Sequence, residues 1–179
     1  MTGRSDVFEK KNIILTGFMA TGKSAVGKEL ARRLGRTFID TDSLIEDLSG
    51  MTVAQIFDRH GEEHFRERES EAVIRLNDYP AGSLVVSTGG GILLRRENRR
   101  RLEKKSLLVL LSASAQEILR RVLKDGGRPL LEGPDPQGKI EELLAQRKDI
   151  YSGAVVQVDT TGQTVSGVAD EIIDALQRL

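Results

Sequence analysis

A chain of 179 residues, 39% hydrophobic and 30% charged, has room for one domain with a real core, and its composition is that of an ordinary soluble globular protein. Lysine plus arginine equals aspartate plus glutamate at 27 each, so no bulk field draws the chain to nucleic acid or to an anionic membrane. There is no cysteine, which excludes a disulfide framework and a thiolate site.

Residues 1–11 are polar and lack the apolar stretch of a signal peptide. No run approaches the length of a membrane span, so a cytoplasmic protein is expected. Asn12 to Thr16 (N-I-I-L-T) reads as a short buried strand. It leads into Gly17-Phe18-Met19-Ala20-Thr21-Gly22-Lys23-Ser24, which fits the phosphate-binding pattern G-x-x-x-x-G-K-[ST]. Val26, Leu30, Ala31 and Leu34 then recur at helical spacing until Gly35 stops them. Strand, glycine loop, helix is the order that phosphate binding requires. Gly17 and Gly22 let the backbone curl so that successive N–H groups turn inward, and the helix adds its positive end. Lys23 supplies a mobile cation and Ser24 a hydroxyl for magnesium. Ala20, Thr21 and Ala25 complete the expected nucleotide-contacting set. The bland alternative, a chance match in a surface turn, does not account for the flanking strand and helix.

Thr37 to Ile39 is a second strand, ending at Asp40-Thr41-Asp42. Carboxylates at the carboxyl end of a strand in an open α/β sheet sit where ligands bind, and alternation puts Asp40 and Asp42 on one side. A cap on the helix beginning at Ser43 explains one aspartate more easily than two. Thr52 caps a further helix, and Gly61 precedes a long one through Leu76. Phe65, Glu69, Ala72, Val73 and Leu76 share one stripe of that helix. Arg66 and Glu69 are i, i+3 neighbours, so the carboxylate can hold the guanidinium for a bidentate grip; a merely solvated helix face is the competing reading. His60 to His64 fits the zinc pattern H-x-x-E-H, but Gly61 is a poor residue inside the helix that pattern needs. Ser83 to Thr88 is a third, apolar strand running into Gly89, Gly90 and Gly91, where a ligand can approach bare backbone.

Arg95 to Lys105 is basic but lacks aromatics and is interrupted by glutamates, which reads as a solvated helix rather than a nucleic-acid surface. Leu107 to Leu111 is a fourth strand and Ser114 to Leu123 a helix carrying Arg120 and Arg121. Lys124 to Gly138 is rich in Gly and Pro, has little periodicity and holds Arg128; it reads as a lid. A helix from Lys139 to Ile150 holds Arg147, a fifth strand spans Ala154 to Val158, and Thr164 to Leu179 closes the chain. Five β-α alternations predict an α/β fold, a parallel sheet with helices on both faces, as one domain over residues 1–179.

Taken together, these motifs resemble shikimate kinase, from Asn12 to the last helix. The resemblance rests on G-F-M-x-x-G-K-S, F-I-D-T-D, G-E-x-x-F-R-x-x-E, the Gly89 to Gly91 triplet, Arg-Pro-Leu-Leu from Arg128, and Arg147-x-x-x-Tyr151. It implies a P-loop NTPase fold of the nucleoside-monophosphate-kinase type, a five-stranded parallel sheet with a lid at about 124–138 and a shikimate-binding region at about 42–77. It implies transfer of the γ-phosphoryl group of ATP to the 3-hydroxyl of shikimate, with magnesium. Beside it, we expect a monomer, and the balanced charge leads us to expect neither a nucleic-acid nor a membrane partner. By position, Lys23 would hold the β- and γ-phosphates; Ser24 would ligate magnesium and Asp40 hold it through water. Asp42 would bind the acceptor and take its proton. Arg66 and Arg147 would grip the shikimate carboxylate, and the glycine triplet would contact shikimate through backbone. Arg128 would reach the transferred phosphoryl group, and Arg121 would lie against adenine. One departure stands out: the family usually has glycine where Ala20 stands, which matters if the loop needs positive φ there. A kinase for another hydroxy acid such as gluconate is the near rival. A GTPase-type switch would need N-K-x-D after a strand, which is absent, and Asp58 to Gly61 matches D-x-x-G only after a helix. An ATP-bound interaction module would not need so complete an acceptor site.

Overall fold

The computed structural model describes residues 5–125, 131 and 133–179. Along the chain come α1 (Ser5–Lys10), β1 (Asn12–Thr16), α2 (Lys23–Leu34), β2 (Thr37–Asp40), α3 (Thr41–Ser49) and α4 (Val53–Arg75). They are followed by β3 (Leu84–Ser87), α5 (Arg96–Lys105), β4 (Ser106–Ser112), α6 (Ala115–Lys124), α7 (Pro136–Arg147), β5 (Val156–Asp159) and α8 (Val165–Gln177). The five strands lie in the order β2-β3-β1-β4-β5, and every pair is parallel. Every residue of β1 and β3 is buried, as expected of strands covered on both faces. From β1 the chain crosses past β3 to β2 at one edge, whereas from β4 it moves outward to β5 at the other, so the topological switch point falls between β1 and β4, where the glycine loop begins.

Side-chain alternation along the strands divides the core. Ile13 and Leu15 of β1 face α2 and α8, joining Val26, Leu30, Ile172 and Leu176. Ile14 points the other way, toward Val73 and Leu76 of the α4 region and Leu102 of α5. A third cluster ties Phe18 of the glycine loop to Ile118 and Val122 of α6, Leu131, and Ile140 of α7.

The helix ends follow local chemistry. Gly35 adopts the left-handed conformation (φ 63°) after α2 and donates to Ala31 O. Thr52 and Gln55 form a reciprocal capping box at the start of α4. The start of α7 differs from the sequence reading, while the division at Gly61 agrees with it. Asp135 accepts from Gly138 N–H at 2.9 Å and Pro136 opens α7, so that helix begins three residues inside the expected lid. α4 is two helices joined at Gly61 (φ 79°, ψ 177°), so His60 and His64 are not on one continuous helix as the zinc pattern requires. Among the described residues, no helix is long and apolar enough to cross a membrane.

Candidate active site

The glycine loop leaves the carboxyl end of β1 under strict steric limits. A Cβ on Gly17 (φ 141°) would collide with the carbonyl of Leu111 on β4, so only glycine fits. Gly22 (φ 92°) is the N-cap of α2, makes no side-chain cap and is followed by no acidic residue in the first turn. The N–H groups of Ser24 and Ala25 in the first turn of α2 therefore remain available to an anion, with the helix dipole behind them. Lys23 is nearly buried, and its ammonium donates to the carbonyls of Gly17 (3.0 Å) and Phe18 (2.7 Å). Thr21 is fully buried and donates to Phe18 O at 2.8 Å. Ala20, at φ 56°, is the one non-glycine residue with positive φ among those described. Its methyl group sits where the backbone does need glycine-like freedom.

Ser24 Oγ donates to Asp40 Oδ2 at 2.7 Å and lies 3.2 Å from Ser87 Oγ. This cluster of hard oxygens beside the helix N-terminus suits magnesium, which takes few protein ligands and completes its shell with water and phosphate. The helix cap is Asp40 rather than Asp42: Asp40 Oδ1 accepts from Asp42 N–H at 3.0 Å. That bond spares the Asp42 side chain from capping. Asp42, Gly89, Gly90 and Met19 line two adjoining pockets at once. One, about 330 Å³, holds Lys23, Ser24, Ala25 and Asp40; the other, about 190 Å³, holds Arg66, Glu69, Gly91 and Arg147.

The glycine triplet makes room for this second pocket. A Cβ at Gly89 would stand 2.7 Å from Asp42 Oδ1 and 3.3 Å from Glu69 Oε1. At Gly91 it would collide with the Arg66 guanidinium, and at Gly90 it would press Arg147 Nη1 at 3.3 Å. Arg66 donates to Glu69 Oε2 (2.7 Å) and Glu62 Oε1 (3.0 Å). Partial burial works against its charge, but Glu69 and Glu62 more than offset this, leaving the guanidinium pKa raised. Glu69 is 1% exposed; burial pushes its carboxyl up against the opposing pull of Arg66, with Asp42 adding to the rise. Arg147 donates to Gly90 O at 3.3 Å and lies 5.3 Å from the Phe18 ring, which links the acceptor pocket to the glycine loop.

A third cleft, about 370 Å³, opens on the other side of the loop between α6 and the turn after β5. Arg121 lines it, but its guanidinium is heavily engaged: it bonds Glu117 Oε1 (2.7 Å), Ala20 O (3.0 Å) and Thr160 O (2.8 Å). Thr160, Gln163 and Glu117 were not singled out from sequence; Thr160 follows a strand's carboxyl end, a position that could have flagged it. Ser87 and Thr88, at the end of β3, were missed in the same way. Arg128 lies outside the described residues.

A glycine loop on a helix N-terminus, a hard-oxygen pair beside it and a carboxylate shared with an arginine-lined pocket define a P-loop kinase for a small acidic acceptor. The family model described as shikimate kinase matches residues 19–177, and the chain belongs to that family. A shikimate kinase of Caldanaerobacter subterraneus subsp. tengcongensis is 45% identical over 94% of this chain and 98% of its own length. One from Geobacter metallireducens is 43% identical over 93% and 92%. The solved shikimate kinase of Acinetobacter baumannii in complex with shikimate superposes with a TM-score of 0.87 at 35% identity, covering 97% of both chains. A gluconokinase from Sinorhizobium meliloti, 20% identical with a TM-score of 0.63, shares the fold.

Proposed function

We propose that this chain transfers the γ-phosphoryl group of ATP to the 3-hydroxyl of shikimate, giving shikimate 3-phosphate and ADP. The observation that carries the reading is Asp42 at the seam of the phosphate and acceptor pockets. The bond from the γ-phosphorus to its bridging oxygen breaks as the acceptor hydroxyl oxygen bonds to phosphorus, and Asp42 accepts the hydroxyl proton. Lys23 and the open N–H groups of α2 hold the β- and γ-phosphates. Ser24, with Asp40 through water, would hold magnesium, which neutralises charge on the phosphate oxygens when bound. Arg66, braced by Glu69, and Arg147 hold the acceptor carboxylate at the far end from Asp42. The backbone of Gly89, Gly90 and Gly91 floors the acceptor pocket. The third cleft takes the adenine, with Arg121 at its wall. Arg128 is assigned from the family pattern to the transferred phosphoryl group, in a lid at about 124–135. The enzyme acts as a cytoplasmic monomer without nucleic acid, the last of these supported by the chain's balanced charge.

The test is a coupled ADP-release assay offering shikimate, quinate and gluconate separately. Shikimate should be preferred by a wide margin in kcat/KM. Preference for gluconate would overturn the assignment.

A further inference from the structure

A cavity of about 490 Å³, larger than either reaction pocket, opens at the opposite end of the sheet. Asn12 and Ser106, partners in register at the amino ends of β1 and β4, form its back. Ile14, Val73, Leu76 and Leu102 make an apolar wall, with Tyr79 beside them. Lys10, Lys11, Arg101, Lys104 and Lys105 surround it; Arg101 is paired with Glu97 at 2.5 Å, and no carboxylate lines the cavity itself among the described residues. The chain as a whole carries equal numbers of both charges, so this is a local concentration of cations. Lys104 and Lys105 stand in the last turn of α5, where they complement the helix dipole. That explains two of the five cations, not their convergence with residues from α1 and the stretch before β1.

The back wall points to a ligand independently. Asn12 and Ser106 are 8% and 7% exposed. Asn12 Oδ1 accepts from Leu84 N–H at 3.1 Å, which fixes the amide nitrogen on the other side. Among the described residues, neither that nitrogen nor Ser106 Oγ has a protein hydrogen-bond partner, and both stay open to the water of the cavity. A donor and a hydroxyl that face only water in a cation-rimmed cavity are available to a ligand that displaces that water. An anionic oxygen would satisfy them, and the apolar wall would cover a ring carrying it; inorganic phosphate alone would leave the wall unused.

We propose that this cavity is a second ligand site, for a small organic anion with an apolar ring, separate from the site of phosphoryl transfer. The probe is 8-anilinonaphthalene-1-sulfonate, titrated calorimetrically into the full chain with ADP and shikimate saturating. One probe molecule should bind per chain. Asn12→Asp keeps an acceptor for Leu84 N–H while turning the spare donor into a carboxylate oxygen, and should weaken binding at least tenfold. Lys104→Glu with Lys105→Glu, both at the surface, should do the same while leaving kcat unchanged. The uncharged relative N-phenyl-1-naphthylamine should bind at least tenfold more weakly than the sulfonate. Displacement of the probe by ADP or shikimate, undiminished binding to both variants, or equal binding of the uncharged compound would each overturn the proposal.

Discussion

Ala20 concentrates a conflict between side chain and backbone. A left-handed alanine costs about 1–2 kcal/mol, and glycine would relieve that while adding roughly 0.5–1 kcal/mol of unfolded-state entropy. The Arg121 bond to Ala20 O at 3.0 Å helps hold the strained geometry. Ala20→Gly should therefore change stability by less than about 1 kcal/mol and ATP affinity by less than about fivefold. A larger gain in calorimetric ATP affinity would mean that the methyl group distorts the loop itself. Arg66, Arg147 and Asp42 separate by kinetic signature. Losing one charge-assisted contact to the acceptor, as in Arg66→Gln or Arg147→Gln, should cost about 2–4 kcal/mol in kcat/KM for shikimate. Asp42→Asn should act on kcat, because the carboxylate grip persists while the proton acceptor is gone. Steady-state kinetics with ATP saturating distinguishes the two patterns; normal turnover in the arginine variants would remove them from the acceptor site.

At the scale of elements, glycines position the acceptor pocket. Gly91 has an ordinary backbone (φ −109°), so Gly91→Ala is not strained in itself, but its methyl group would displace the Arg66 guanidinium. The expected result is a rise in KM for shikimate of about tenfold or more with ATP binding intact. An unchanged KM would show that Arg66 can hold its substrate from elsewhere. Much of this was legible in the sequence. Strands and the α2 helix announced themselves because burial on both faces leaves apolar runs and one-sided burial leaves helical stripes. The stripe Phe65, Glu69, Ala72, Val73, Leu76 also marked the buried face of α4, including its one charged member. The Gly61 break was legible too, because glycine is a poor residue inside a helix; only its positive φ had to come from the structure. Asp40 rather than Asp42 as the cap could not be read from spacing, because both residue types cap equally well. The cleft beside Thr160 and the cation-rimmed cavity are assembled from segments far apart in the chain, and no local pattern marks either.

Across the whole molecule, carboxylates divide by what surrounds them, and the division sets how stability responds to pH. Hydrogen bonds from Arg32 and then Arg33 hold Glu29 down at about 2, and Arg33 carries the tie from α2 to Asp170 of α8. Glu117 is likewise lowered to about 2, chiefly by Arg120 with Arg121 assisting against some desolvation. Through Arg121 it braces Ala20 and the turn after β5. Carboxyls lowered in the fold contribute stability above their ordinary value of 4.5, and that contribution drains away as pH falls from there toward 2. Glu69 has the opposite sign. Its pKa is raised by burial, so the fold favours its protonated form and loses that advantage as pH climbs above the ordinary carboxyl value. The two effects occupy different windows. Calorimetric melting from pH 2 to 9 should show Glu29→Gln with Glu117→Gln flattening the acid limb below about pH 4.5, and Glu69→Gln flattening the decline above it. Glu69→Gln should also raise KM for shikimate, because Arg66 loses its buried brace while keeping only the exposed Glu62. If Glu69→Gln left both the upper limb and KM unchanged, the buried carboxylate would have neither the energetic nor the positioning role assigned to it.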